Sequence, residues 1–168
     1  MTPSRRQYLG TLAAASLALA GCSDGGNEEA DRDPEDAPEE LRLDGMTLNT
    51  DTPVRVVEAD TEELVVRIHG HGDFSHWHRS PIRLDPGQWA NFEVQFRDFD
   101  GNVLPLGPDE QYQLSVELAS DVDFVDFEVT GRSLDVIGRE TGGTELAVAL
   151  LSDGEPQWTP PNLPLSIS

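Results

Sequence analysis

At 168 residues, with 32 acidic against 11 basic side chains and a net charge of −21, the chain is long enough for one domain and strongly acidic. That charge repels nucleic acid and anionic lipid surfaces, so neither is expected as a partner of the folded part. A single cysteine, Cys22, excludes an internal disulfide.

Residues 1–22 have the parts of a secretory signal. Arg5 and Arg6 form a positive end, residues 11–20 are apolar, and small residues precede Cys22. Ten residues span about 15 Å as a helix, about half of a hydrocarbon core, so the run is too short to cross a membrane. Ser4-Arg5-Arg6-Gln7-Tyr8-Leu9 resembles a twin-arginine export signal, and Leu19-Ala20-Gly21-Cys22 resembles a lipobox. The resemblance implies cleavage after residue 21, a lipid on Cys22, and a protein exported and held to the outer face of the cytoplasmic membrane. Removing residues 1–21 takes away two arginines and no acid, so the mature form is two charges more negative. All 11 basic residues are arginine. The acidic, lysine-free composition resembles proteins of salt-loving archaea, and the whole resembles a haloarchaeal-type twin-arginine lipoprotein. High salt would screen the self-repulsion, with a Debye length of about 3 Å at 1 M.

Residues 22–40 read as the lipidated cysteine and a disordered acidic tether. The stretch 23–40 holds nine Asp or Glu, one Arg, the breakers Gly25-Gly26 and Pro34, and no apolar periodicity.

Residues 41–168 form the expected domain, and its signal is period two. Leu64, Val66 and Ile68 alternate first. Phe92, Val94 and Phe96 follow, then Tyr112, Leu114, Val116 and Leu118, then Val125, Phe127 and Val129. Leu146, Val148 and Leu150 continue the series, and Leu163, Leu165 and Ile167 end it. Asp85-Pro86-Gly87, Asp100-Gly101-Asn102, Gly107-Pro108-Asp109, Gly142-Gly143 and Asp153-Gly154 mark turns between them. No window carries a helical face. The pattern predicts an all-β fold, a single antiparallel sandwich of about seven to nine strands. The run from Phe92 to Pro105, with Phe127-Glu128-Val129-Thr130-Gly131 and the stretch from Gly138 to Leu146, resembles bacterial immunoglobulin-like domains. That likeness covers residues 86–151 and implies a binding or spacer module without a cysteine bridge.

All four histidines fall between residues 69 and 78. His69 and His71 alternate with Ile68 and so face away from the core beside Arg67, while His76 and His78 share a face on the return arm and Trp77 takes the other. With Gly72-Asp73-Phe74-Ser75 as the hairpin loop, His69 would oppose His78 and His71 would oppose His76. Four imidazoles on one patch suit a borderline cation, Zn or Cu. Three readings stand together: a metal site at His69, His71, His76 and His78, a polar strand face near Arg67 and Arg79, or a pH-responsive or partner surface. A one-residue slip of register would abolish the patch.

Other features are plainer. Asp98, Asp100 and Asn102 alternate as calcium ligands can, but Gly101 sits wrongly for an EF-hand and a tight Asp-Gly turn is expected. Trp77 is expected inside, and Trp89 and Trp158 in the core or at its rim. Pro164 suggests that the last strand lies at a sheet edge. Zinc-protease, nucleophile-elbow and phosphate-loop motifs are lacking, and no catalytic residues are assigned. The sequence therefore leads to a lipid-anchored surface module that binds an unidentified protein or ligand. Its alternatives are an extracytoplasmic metalloenzyme using the histidines and a purely structural spacer.

Overall fold

The computed structural model describes residues 33–71 and 74–168, and for His71 and Phe74 the backbone alone. Cys22, Arg5, Arg6 and the signal assigned to residues 1–21 lie outside the described residues. Among the described residues no helix is long and apolar enough to cross a membrane.

Among the described residues thirteen strands succeed one another, several very short. They are β1 (Arg42–Leu43), β2 (Met46–Thr47), β3 (Val54–Glu58), β4 (Leu64–His71), β5 (Phe74–His78), β6 (Ile82–Leu84) and β7 (Trp89–Phe96), followed by β8 (Tyr112–Leu118), β9 (Val125–Thr130), β10 (Ser133–Gly138), β11 (Gly142–Ser152), β12 (Glu155–Trp158) and β13 (Leu163–Ile167). One sheet runs β5-β4-β3-β7-β10-β9. A second runs β12-β11-β13-β6, with β8 also paired to β11, and β1 pairs with β2 in a separate two-stranded sheet. Every pairing between strands is antiparallel except β6 with β13.

This connectivity is that of an immunoglobulin sandwich. β7, β10 and β9 stand in the order B-E-D of one sheet, and β8, β11 and β13 in the order C-F-G of the other. β3 takes the A position beside β7, and β4 and β5 extend that sheet outward, so the histidine hairpin is an addition to its edge.

The alternating residues named above close the core. Val66, Ile68, Val94, Phe96, Leu146, Val148, Leu150, Leu163 and Ile167 are all fully buried. Where domains with a bridging disulfide place a tryptophan against it, here Trp158 of β12 meets Phe96 of β7 edge-on across the sandwich, with ring centroids 6.0 Å apart. Such pairs contribute about 0.5–1.5 kcal/mol beyond their buried area.

Four expectations are corrected. In the stretch expected to be a disordered tether, residues 34–36 and 39–41 form short 3-10 turns. Asp33 caps the first by accepting from the Glu35 amide, and Ala37 is buried, because even this acidic run supplies one small apolar side chain that can be covered. Leu64 is only half-buried, since a β-bulge places Val57 opposite Leu64 after Val56 opposite Val66 and so breaks the alternation at Val65. The final strand is no edge: β13 lies between β11 and β6. The β6 ladder covers residues 165–167 only, so the donor that Pro164 lacks falls outside it. Trp89 is 58% exposed opposite the exposed Ile137, because it opens β7 on the parity opposite to Phe92, Val94 and Phe96.

Candidate functional site: an imidazole cluster at the sheet edge

β4 continues past the core on the alternation that buries Val66 and Ile68, so Arg67 and His69 emerge on the outer face. The hairpin closes on Ile68 opposite Trp77, His69 opposite His76, and Arg67 opposite His78. His71 pairs with Phe74, so Phe74 and Ser75 belong to the strand. The expected pairs His69–His78 and His71–His76 are thus corrected by a slip of two residues. A two-residue slip preserves the face, so His69, His76 and His78 still stand together there, as the backbone register also places His71.

A contact distant in sequence anchors this strand. Trp77 turns inward against the core and its indole Nε1 donates to the Pro161 carbonyl at 2.7 Å. Holding Trp77 fixes the residues on either side of it, His76 and His78, to the outer face.

The rings are close. His76 and His78 have centroids 4.5 Å apart and tilted, and His69 and His78 lie 5.2 Å apart, edge to face. Two imidazoles on one tetrahedral zinc, with zinc–nitrogen bonds of about 2.0–2.1 Å, have centroids about 5 Å apart. His69 Nδ1 lies 3.1 Å from the Asp51 carbonyl oxygen. A carbonyl only accepts, so Nδ1 carries the hydrogen and Nε2 of the neutral ring presents its lone pair. Metal-binding histidines are held in this way. Among the described residues no three His, Cys, Asp or Glu side chains are already gathered around one ion-sized point. The ring spacings match those of two imidazoles on one ion, while the three side chains do not converge on one point, and His76 is exposed on the edge strand.

A cleft beside the hairpin, of about 270 Å³, is bounded by Asp36, Leu41, Thr50, Asp51, Gly70 and Ser75. Gly70 and Ser75 alternate with the histidines, so this cleft opens to the other side of the hairpin and is no pocket for the imidazoles.

The remaining motif is a turn. Both Asp98 carboxylate oxygens accept from Asn102, from its amide at 2.7 Å and its side chain at 2.9 Å. The Gly101 amide donates to the Asp98 carbonyl, with Gly101 at φ +85°. The carboxylate is thus engaged in closing the turn, as expected of Asp-Gly.

The alternation singled out the histidines and placed Arg67 beside them, but it did not reveal Arg55. Arg55 of β3 stands directly opposite Arg67, which stands opposite His78. Arg55 Nε donates to Gln95 Oε1 at 2.7 Å, and Gln95 Nε2 donates to Glu93 at 2.9 Å. Only the β3–β4 pairing brings Arg55 into this row, and nothing in the spacing of either residue signals it.

No protein-family model matches the chain, and no curated protein matches it. Among solved structures it is similar to domains 4 and 5 of the S-layer protein SbsC, at 12% identity over 68% of this chain and 76% of that one, with a TM-score of 0.37.

Proposed function

We propose that this protein is an exported binding module, anchored by a lipid on Cys22 to the outer face of the cytoplasmic membrane, that takes up Zn or Cu through His69, His71, His76 and His78. The export and anchoring parts are supported by the order of the motifs in residues 1–22, with Arg5-Arg6 before the apolar run and Cys22 at its end. The metal part is carried by one observation: three imidazoles packed at 4.5 and 5.2 Å, one of them with Nδ1 committed to a backbone carbonyl.

The test is calorimetric titration of the full chain, in detergent and molar salt, with zinc and with copper. Saturable binding of one ion per chain, weakened about a hundredfold or more by His69→Ala or His76→Ala, is the expected result. Binding that both variants leave unchanged overturns the metal site, and an absence of saturable binding leaves a structural spacer. A hydrolytic activity lost on chelation would move the reading to a metalloenzyme.

A further inference from the structure

Most arginines of the domain are engaged locally. Arg132 pairs with Glu93 at 3.2 Å, Arg139 pairs with Asp126, Arg97 Nε donates to the Gly101 carbonyl, and Arg79 donates to that of Leu64. Arg55 and Arg67 are placed otherwise. They face each other directly across β3 and β4, an arrangement of like charges that destabilises a sheet, and His78 continues the row onto β5. Among the described residues neither arginine forms an ion pair with a carboxylate, although the chain carries 32 of them. Arg55 is held nonetheless: its Nε is bound by Gln95, a polar side chain left only 6% exposed, which Glu93 fixes in turn. A buried amide thus holds a guanidinium that forms no ion pair with any carboxylate of the described residues.

The row ends at an edge. Among the described strands β5 pairs with β4 alone, and it terminates its sheet. An edge strand offers backbone N–H and C=O groups to an added strand. A strand added there would lie about 4.8 Å away, and its alternate side chains would fall on the outer face opposite His76 and His78, within reach of the long Arg67 side chain. A carboxylate at those positions would meet the Arg67 guanidinium fork, with the charge of Arg55 one strand behind it. Elsewhere the acidic surface repels such a ligand, which restricts docking to this patch.

We propose that the edge of β5, with the row Arg55, Arg67 and His78 behind it, is a docking site for an extended acidic peptide segment of a partner protein. The site requires no metal on the imidazoles, so it stands or falls separately from the metal reading.

A fluorescent peptide of four Glu-Thr repeats, titrated into the full chain in detergent with a chelator present, tests it by anisotropy. Saturable binding is expected, weakening about tenfold between about 0.1 and 1 M salt as screening takes hold. Arg67→Gln should weaken it about tenfold and Arg55→Gln, three strand spacings of about 4.8 Å from the added strand, by much less, while Arg83→Gln on β6 in the other sheet should leave it unchanged. A fully N-methylated peptide of the same charge should fail to bind, since it cannot pair with a strand edge. Thermal unfolding of each variant shows whether it is folded, and Arg67→Lys, which keeps the charge, should bind with intermediate strength. Absence of saturable binding, an unchanged affinity in Arg67→Gln, or loss of binding caused by the chelator overturns the proposal. Equal binding of the N-methylated peptide, or of dextran sulfate, overturns the peptide strand in favour of an indifferent polyanion surface.

Discussion

Gly138→Ala should destabilise this domain far more than adding one methyl group suggests. Gly138 ends β10, and a Cβ built there would lie 2.9 and 3.0 Å from two side-chain carbons of Ile167 and 3.1 Å from the Asp85 carbonyl oxygen. Carbon atoms prefer about 3.5–4.0 Å, so the neighbours must retreat by about half an ångström or more. Little can retreat. Ile167 is fully buried in the last strand, and the Gly138 backbone is tied at both ends, its amide to the Gln88 carbonyl at 3.0 Å and its carbonyl to the Gly87 amide at 2.7 Å. Overpacking a fixed site costs about 1–3 kcal/mol, and this one belongs in the upper half of that range. For a domain of this size the melting temperature should fall by about 6–12 °C. Thermal unfolding followed by circular dichroism in molar salt measures it. Gly143→Ala is the control: its Cβ would find only the Leu165 carbonyl at 3.9 Å, and the change should be neutral or stabilising by up to about 1 kcal/mol. A Gly138→Ala protein melting within about 2 °C of the native one would mean that the site yields freely and is not overpacked.

Two further outcomes are expected. Burial first, and then the negative charge of Asp44, raise the Tyr112 phenol above its ordinary value near 10. The folded state therefore keeps its proton where the unfolded chain loses it, and this contribution to stability, whole below about pH 10, is lost as pH rises past that value. In a Tyr8→Phe background, where Tyr112 is the sole tyrosine, phenolate absorbance should titrate above pH 10, and Asp44→Asn should lower the midpoint; a native midpoint at or below 10 would contradict this assignment. Cys22→Ser should move the protein from the membrane to the soluble fraction after cell lysis, and unchanged retention would exclude the lipid anchor.

The face of each histidine was legible in the sequence, but the partners were not. Alternation with Val66, Ile68 and Trp77 sends His69, His76 and His78 outward in any register of the same parity. Whether His69 meets His78 or His76 depends on where the pairing stops. The structure extends it to Phe74, with Trp77 tied to Pro161, 84 positions along the chain. Strand β3 illustrates the other limit. Val54, Val56 and Val57 are all buried, and the bulge opposite them breaks the alternation by which a strand is recognised.

Alternation along the chain was enough to show an all-β domain and to mark part of its core, because a pleated strand with one face covered writes its geometry into every second residue, whereas the buried Val54, Val56, Leu134 and Val136 were not marked by it. The sequence also determined the charge, the lack of a disulfide and the grouping of four imidazoles. It is the fold that puts the histidine hairpin at the edge of an immunoglobulin sandwich, makes β13 an interior strand, and sets Arg55, Arg67 and His78 in one row. These are matters of which strand lies beside which and at what offset. Strand order and register are fixed by contacts among residues far apart in the chain, such as Phe96 with Trp158 and Trp77 with Pro161, and no local pattern records them.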